Sequence, residues 1–155
     1  MLILFITVAW VIIYVLNKKV SYYKQKEQEE IDKVKKMLEF YNALVRWVEL
    51  EQGKKRFSVY FKNNGYETIG IYGMKELGVL LYKGLMMENQ QVECFIDKDL
   101  SVSDGSFSVI LPNENIPKVD VIIVTAIHYY DSIYTELRKY TDADIVSIED
   151  VLWGI

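Results

Sequence analysis

The sequence predicts an α/β fold whose core is a parallel sheet of about five strands in the order 3-2-1-4-5, preceded by a long helix and an apolar N-terminal segment. Three observations predict it. A glycine loop running from Gly73 to Gly78 follows the strand-like Glu67-Thr68-Ile69-Gly70-Ile71-Tyr72 and precedes Leu77, Leu80, Leu81 and Leu85 at helical spacing. A second apolar strand ends in Phe95-Ile96-Asp97, with its acid nineteen residues after Gly78. The run Val119-Asp120-Val121-Ile122-Ile123-Val124-Thr125-Ala126 is typical of a parallel strand covered on both faces.

The first element is the N-terminal run over residues 2–16, which is uncharged and contains Phe5, Trp10 and Tyr14. It reads as a membrane anchor over residues 1–17. Sixteen residues give about 24 Å of helix against a hydrocarbon core of roughly 30 Å, so Asn17 and the lysine stems are expected to snorkel. Lys18, Lys19, Lys24 and Lys26 flank the run on its C-terminal side only. By the positive-inside rule the expected location is the cell membrane, single-pass, with the folded domain cytoplasmic.

Residues 18–53 read as one long helical stalk, because no Gly or Pro interrupts residues 21–52. Two apolar stripes run along it. Ile31, Val34, Leu38, Tyr41, Val45 and Val48 alternate spacings of three and four, which is a heptad seam suited to a homodimer. Met37, Phe40, Leu44 and Trp47 form the second, suited to docking on a domain. Gly53 ends the helix, and Phe57, Tyr60 and Phe61 before Asn63-Asn64-Gly65 predict a short helix with a glycine C-cap.

Residues 54–155 then form the α/β domain. Residues 98–106, rich in Asp, Ser and Gly, read as a surface loop, residues 107–111 as a short third strand and residues 112–118 as another loop. Tyr130, Ile133, Tyr134 and Leu137 mark a helix after the fourth strand. Residues 145–148 form a fifth strand, and residues 149–153 a closing helical turn.

Strand, glycine loop, helix, strand and acid follow one another as in a Rossmann unit. There the first glycine makes a tight turn, the last lets helix and strand pack closely, and a phosphate rests on the helix N-terminus. The acid holds ribose hydroxyls. A 3-2-1-4-5 order opens a crevice between strands one and four, so the expected site takes in Gly73, Met74, Lys75, Gly78, Asp97, Thr125 and His128. Lys75 stands where the backbone usually approaches a pyrophosphate, and either neutralises a phosphate or blocks it. His128, the single histidine, reads as a ligand-contacting donor or an acid/base near neutral pH, or else as a ring that satisfies backbone at the start of the next helix or contacts water, with no partner acid identifiable. Tyr129 and Tyr130 are a base-stacking group and a sheet-packing group in an order the sequence leaves open.

The remaining composition narrows the function classes. A net charge of −4 and an acidic balance oppose a nucleic-acid partner, which needs a basic face. One cysteine excludes an internal disulfide, and one Cys with one His leaves little for a transition-metal site. Cys94 reads as a small buried hydrophobe. Walker and nucleophile-elbow motifs are missing, so no independent catalytic activity is expected.

Residues 66–153, with Ile71-Tyr72-Gly73-Met74, Glu76-Leu77-Gly78, Phe95-Ile96-Asp97, Asp120-Val121-Ile122-Ile123-Val124-Thr125 and Ile148-Glu149-Asp150-Val151-Leu152, resemble the small Rossmann-like domains of bacterial surface-polysaccharide biosynthesis proteins. These include the N-terminal domains of sugar-nucleotide acyltransferases. The resemblance implies a nucleotide or nucleotide-sugar site at Gly73, Gly78 and Asp97, although the family carries a glycine where Lys75 stands. It does not carry acyl transfer with it, since the left-handed helical repeats of those enzymes are missing. Two readings follow. One is a membrane-anchored module binding a nucleotide, NAD(P) or nucleotide-sugar for surface-glycan synthesis. The other is a non-catalytic assembly protein, partnered by a second copy or a glycan-synthesis protein, whose domain has lost its ligand.

Overall fold

A computed structural model describes the chain apart from residues 103–106 and 114 and the side chains of residues 2–5 and 7. Its elements are α1 (Leu2–Gln52), α2 (Phe57–Asn64), β1 (Thr68–Tyr72), α3 (Glu76–Met87), β2 (Gln91–Ile96), β3 (Val109–Ile110), β4 (Val121–Val124), α4 (Tyr130–Leu137), β5 (Asp144–Ser147) and α5 (Ile148–Trp153). Single 3-10 turns occupy Leu100–Val102 and Ile127–Tyr129. The chain divides into two compact units, Met1–Leu38 and Glu39–Ile155.

The first unit is helix alone. Its contacts include exposed side-chain pairs one turn apart, such as Lys33 with Glu30 at 2.7 Å, whose attraction solvent screens. Among the described residues no helix is long and apolar enough to cross a membrane. Part of the predicted anchor, residues 2–5 and 7, lies outside the described side chains.

In the second unit the five strands form one sheet, all parallel, in the order β3-β2-β1-β4-β5, as predicted. Alternation along the strands supplies two cores, because successive side chains leave a strand on opposite faces. Ile69 and Ile71 of β1 and Val121 and Ile123 of β4 meet α3, α5, α2 and the last turns of α1 on one face. Tyr72, Ile122, Val124 and Ile145 meet Ile133 and Leu137 of α4 on the other. Cys94 belongs to the second core, and burial first, then Glu93, pushes its thiol up to about 11, the behaviour of an inert apolar group. Gly65 caps α2 at φ 73°, as its position predicts.

Three expectations change. The third strand, expected over residues 107–111, shrinks to Val109–Ile110, since an edge strand has a ladder partner on one side only. Leu80 is exposed, while Leu77, Leu81 and Leu85 carry the buried face of α3. Met37 is 73% exposed and takes no part in docking. The docked face of α1 is instead Phe40, Ala43, Leu44, Trp47 and Leu50, with Ala43 and Leu50 buried. Ala43 escapes a search for large apolar residues because its contribution is to let the helix come close.

Trp47 meets Phe57 of α2 edge to face, with ring centroids 5.0 Å apart. Gly84 on α3 opens the space for both, since a Cβ there would lie 3.0 Å from the Phe57 ring. Arg46 Nε donates to the Leu152 carbonyl at 3.0 Å, tying α1 to α5. Glu88, at the end of α3, accepts from the amides of Phe57 and Ser58 and so supplies the anion that α2 lacks in its own first turn.

Candidate functional site

The expected site begins at the β1 exit. Gly73 turns at φ 92°, a conformation that side chains strain to adopt, and a Cβ there would lie 2.8 Å from Thr125 Oγ1. Gly78, one turn into α3, packs directly on the loop. A Cβ at Gly78 would come within 1.9 Å of the Gly73 carbonyl oxygen, so only glycine permits this approach. The two glycines carry the turn and the close packing assigned to them from spacing alone.

Around that loop the structure distributes the predicted residues unevenly. Thr125 is buried, and its hydroxyl lies 2.5 Å from the Gly73 carbonyl and 3.1 Å from that of Tyr72, so it anchors the loop from β4. Met74 is buried. Lys75 is the exposed N-cap of α3, and its side chain makes no capping bond. Asp97, half-buried at the end of β2, turns Oδ2 to the Met74 amide at 2.9 Å and Oδ1 to the Asp99 amide at 3.0 Å. The acid of the motif thus reaches the loop next to the N-terminus of α3.

The loop after Asp97 is stitched by its own acids. Asp99 Oδ1 accepts from the amide and hydroxyl of Ser101, and the hydroxyl bond chiefly holds that carboxyl below its usual range. Lys98 reaches Glu136 of α4 at 2.7 Å. Tyr72 ends β1, and burial first, then Glu136 and Asp97, pushes its phenol up to about 12.

His128 has an acid partner that sequence order conceals. Its Nδ1 lies 3.0 Å from Oε2 of Glu39 in α1, eighty-nine residues earlier, within hydrogen-bond distance of a carboxyl oxygen. Glu149, in the first turn of α5, is close enough to Glu39 that burial, then Glu39 and Asp150, raises its carboxyl above the usual range. Glu39 and Glu149 are the site residues that spacing could not reveal. The available signal was an acid one residue before the docked stripe. Tyr130 packs into the second core and donates its hydroxyl to the Ile145 carbonyl, which makes it the sheet-packing tyrosine of the pair. Tyr129 is exposed, edge-on to the His128 ring at 5.2 Å.

Away from the β1 exit, an open hollow at the amino ends of β4 and β5 is lined by Lys118, Arg138 and Lys139 together with Asp120, Asp142 and Asp144. Among the described residues no group of three or more His, Cys, Asp or Glu side chains is placed to hold a metal ion. No family model, curated protein or solved structure matches this chain, so the functional reading rests on its own residues.

Proposed function

We propose that the chain is a membrane-tethered Rossmann-like module that binds a nucleotide-type small molecule at the carboxyl ends of β1, β2 and β4. The ligand class is a nucleotide, NAD(P) or a nucleotide-sugar, and the setting implied by the motif resemblance is surface-glycan synthesis. The tether is the run over residues 1–17, with the domain on the cytoplasmic side. One observation carries the reading. The approach of Gly78 to the Gly73 carbonyl brings the N-terminus of the twelve-residue α3 against a glycine turn, with Asp97 at its edge. Helix amides and dipole suit a phosphate, Lys75 adds an exposed cation, and Asp97 suits sugar hydroxyls. The reading assigns binding and no reaction.

Its test is thermal unfolding of the full chain in detergent with millimolar NAD, NADPH, AMP, UDP-glucose and UDP-N-acetylglucosamine. A ligand that binds only the native state raises the midpoint, by about 2.7 kcal/mol of stability at one hundred times its Kd. A rise with at least one compound is expected, and it should shrink in Lys75→Ala. An unchanged midpoint throughout the panel overturns the reading.

The assembly reading is favoured by a different observation, which is that both oxygens of Asp97 are already engaged by backbone amides. A carboxylate at the Met74 amide is an internal anion standing where a phosphate would approach. Asp97→Ala separates the two. Loss of a nucleotide-induced shift follows if Asp97 holds the ligand, whereas a shift that appears only in the variant follows if Asp97 fills the cradle.

A further inference from the structure

We infer that the chain pairs with a second copy of itself through a parallel, in-register seam on α1. At about 100° per residue, the docked stripe of Phe40, Ala43, Leu44, Trp47 and Leu50 and the heptad row of Ile31, Val34, Leu38, Tyr41, Val45 and Val48 fall on nearly opposite sides of the helix. The row is exposed at every position, between 39 and 67%. One side of α1 is therefore used within the second unit, while the heptad row is left exposed in each unit. Solvated helices do not carry such a line without something to cover it.

The occupant follows from the spacing and the flanking charges. Ile31, Leu38 and Val45 take the a positions and Val34, Tyr41 and Val48 the d positions, with β-branched residues at two of three a sites, the choice that suits two parallel strands. Glu30 precedes the first a residue and Lys35 follows the first d residue. In a parallel, in-register pair the first lies against the second of the other copy, twice over by symmetry, so opposite charges flank the seam and select that orientation. The same register would place Lys24 and Glu27 inside the seam, so the contact begins at Ile31. This pairing is independent of any ligand in the crevice.

Light scattering of the full chain in detergent tests it. Wild type is expected at the mass of a dimer and Leu38→Asp at the mass of a monomer that still unfolds cooperatively, with a midpoint that no longer depends on protein concentration, because Leu38 is exposed within the single chain. Leu38→Cys, at an a position, is expected to form a disulfide-linked dimer on mild oxidation, and Lys33→Cys, outside the seam, is not. Glu30→Lys should weaken the dimer at least tenfold and Glu30→Lys with Lys35→Glu should restore it. A monomeric wild type, a dimer that survives Leu38→Asp, or equal cross-linking at positions 33 and 38 overturns the inference.

Discussion

Asp120 illustrates how a single exposed side chain aligns two strands. Its Oδ2 accepts from the Thr68 amide, the Glu67 amide and the Thr68 hydroxyl, holding the start of β4 beside the start of β1. The Thr68 amide first, then Glu67 and the Thr68 hydroxyl, hold the carboxyl below its ordinary 3.8. A carboxyl whose folded value is depressed stabilises the fold above its unfolded value and loses that contribution as pH falls through the folded one. Asp120→Asn is therefore expected to unfold at a lower temperature than wild type at pH 7. The gap should close below pH 3.8, and calorimetry at stepped pH checks this. Asp97 likewise accepts backbone amides, at the other end of the sheet. Spacing identified it as the acid of the motif, but that its oxygens take the Met74 and Asp99 amides depends on where the β2 exit stops relative to the loop.

At the scale of elements, α1 shows one helix serving two faces. Its docked face depends on Trp47, which is half-buried against Phe57 in the space left by Gly84. Trp47→Ala is expected to destabilise the domain by about 2–4 kcal/mol, somewhat less than for a fully enclosed tryptophan, with the denaturant slope unchanged. Met37→Ala should lie within about 0.5 kcal/mol of wild type, because the side chain is exposed. Urea unfolding of the two variants separates the observed stripe from the one expected from spacing, in which Met37 and Trp47 count alike. Helical periodicity locates an apolar face to within a residue or so, and the end of the docked stretch is decided by where the domain beneath it ends.

For the molecule as a whole, the expected consequence of the apolar run over residues 2–16 and its one-sided lysines is membrane association with the carboxyl terminus inside. Fractionation should place the full chain with membranes, and an epitope appended after Ile155 should resist external protease in intact cells. Recovery in the soluble fraction removes the tether from the proposed function, and external cleavage reverses its topology.

The sequence by itself determined the parallel sheet, its strand order, the glycine turn, the Gly65 cap and the burial of Cys94. The turn, the cap and the burial rest on local chemistry, a positive φ or a short apolar run, and the sheet and its order on the succession of strand, helix and strand. Tertiary structure alone decided which acid His128 meets, because Glu39 lies on a helix that precedes the sheet and no spacing rule spans that distance. It decided the roles of Thr125 and Asp97 for the same reason, since a side chain's hydrogen-bond partner is set by the strands packed beside it. It also left the heptad row of α1 exposed by docking the opposite face, a choice between two apolar stripes that only the shape of the domain surface could make.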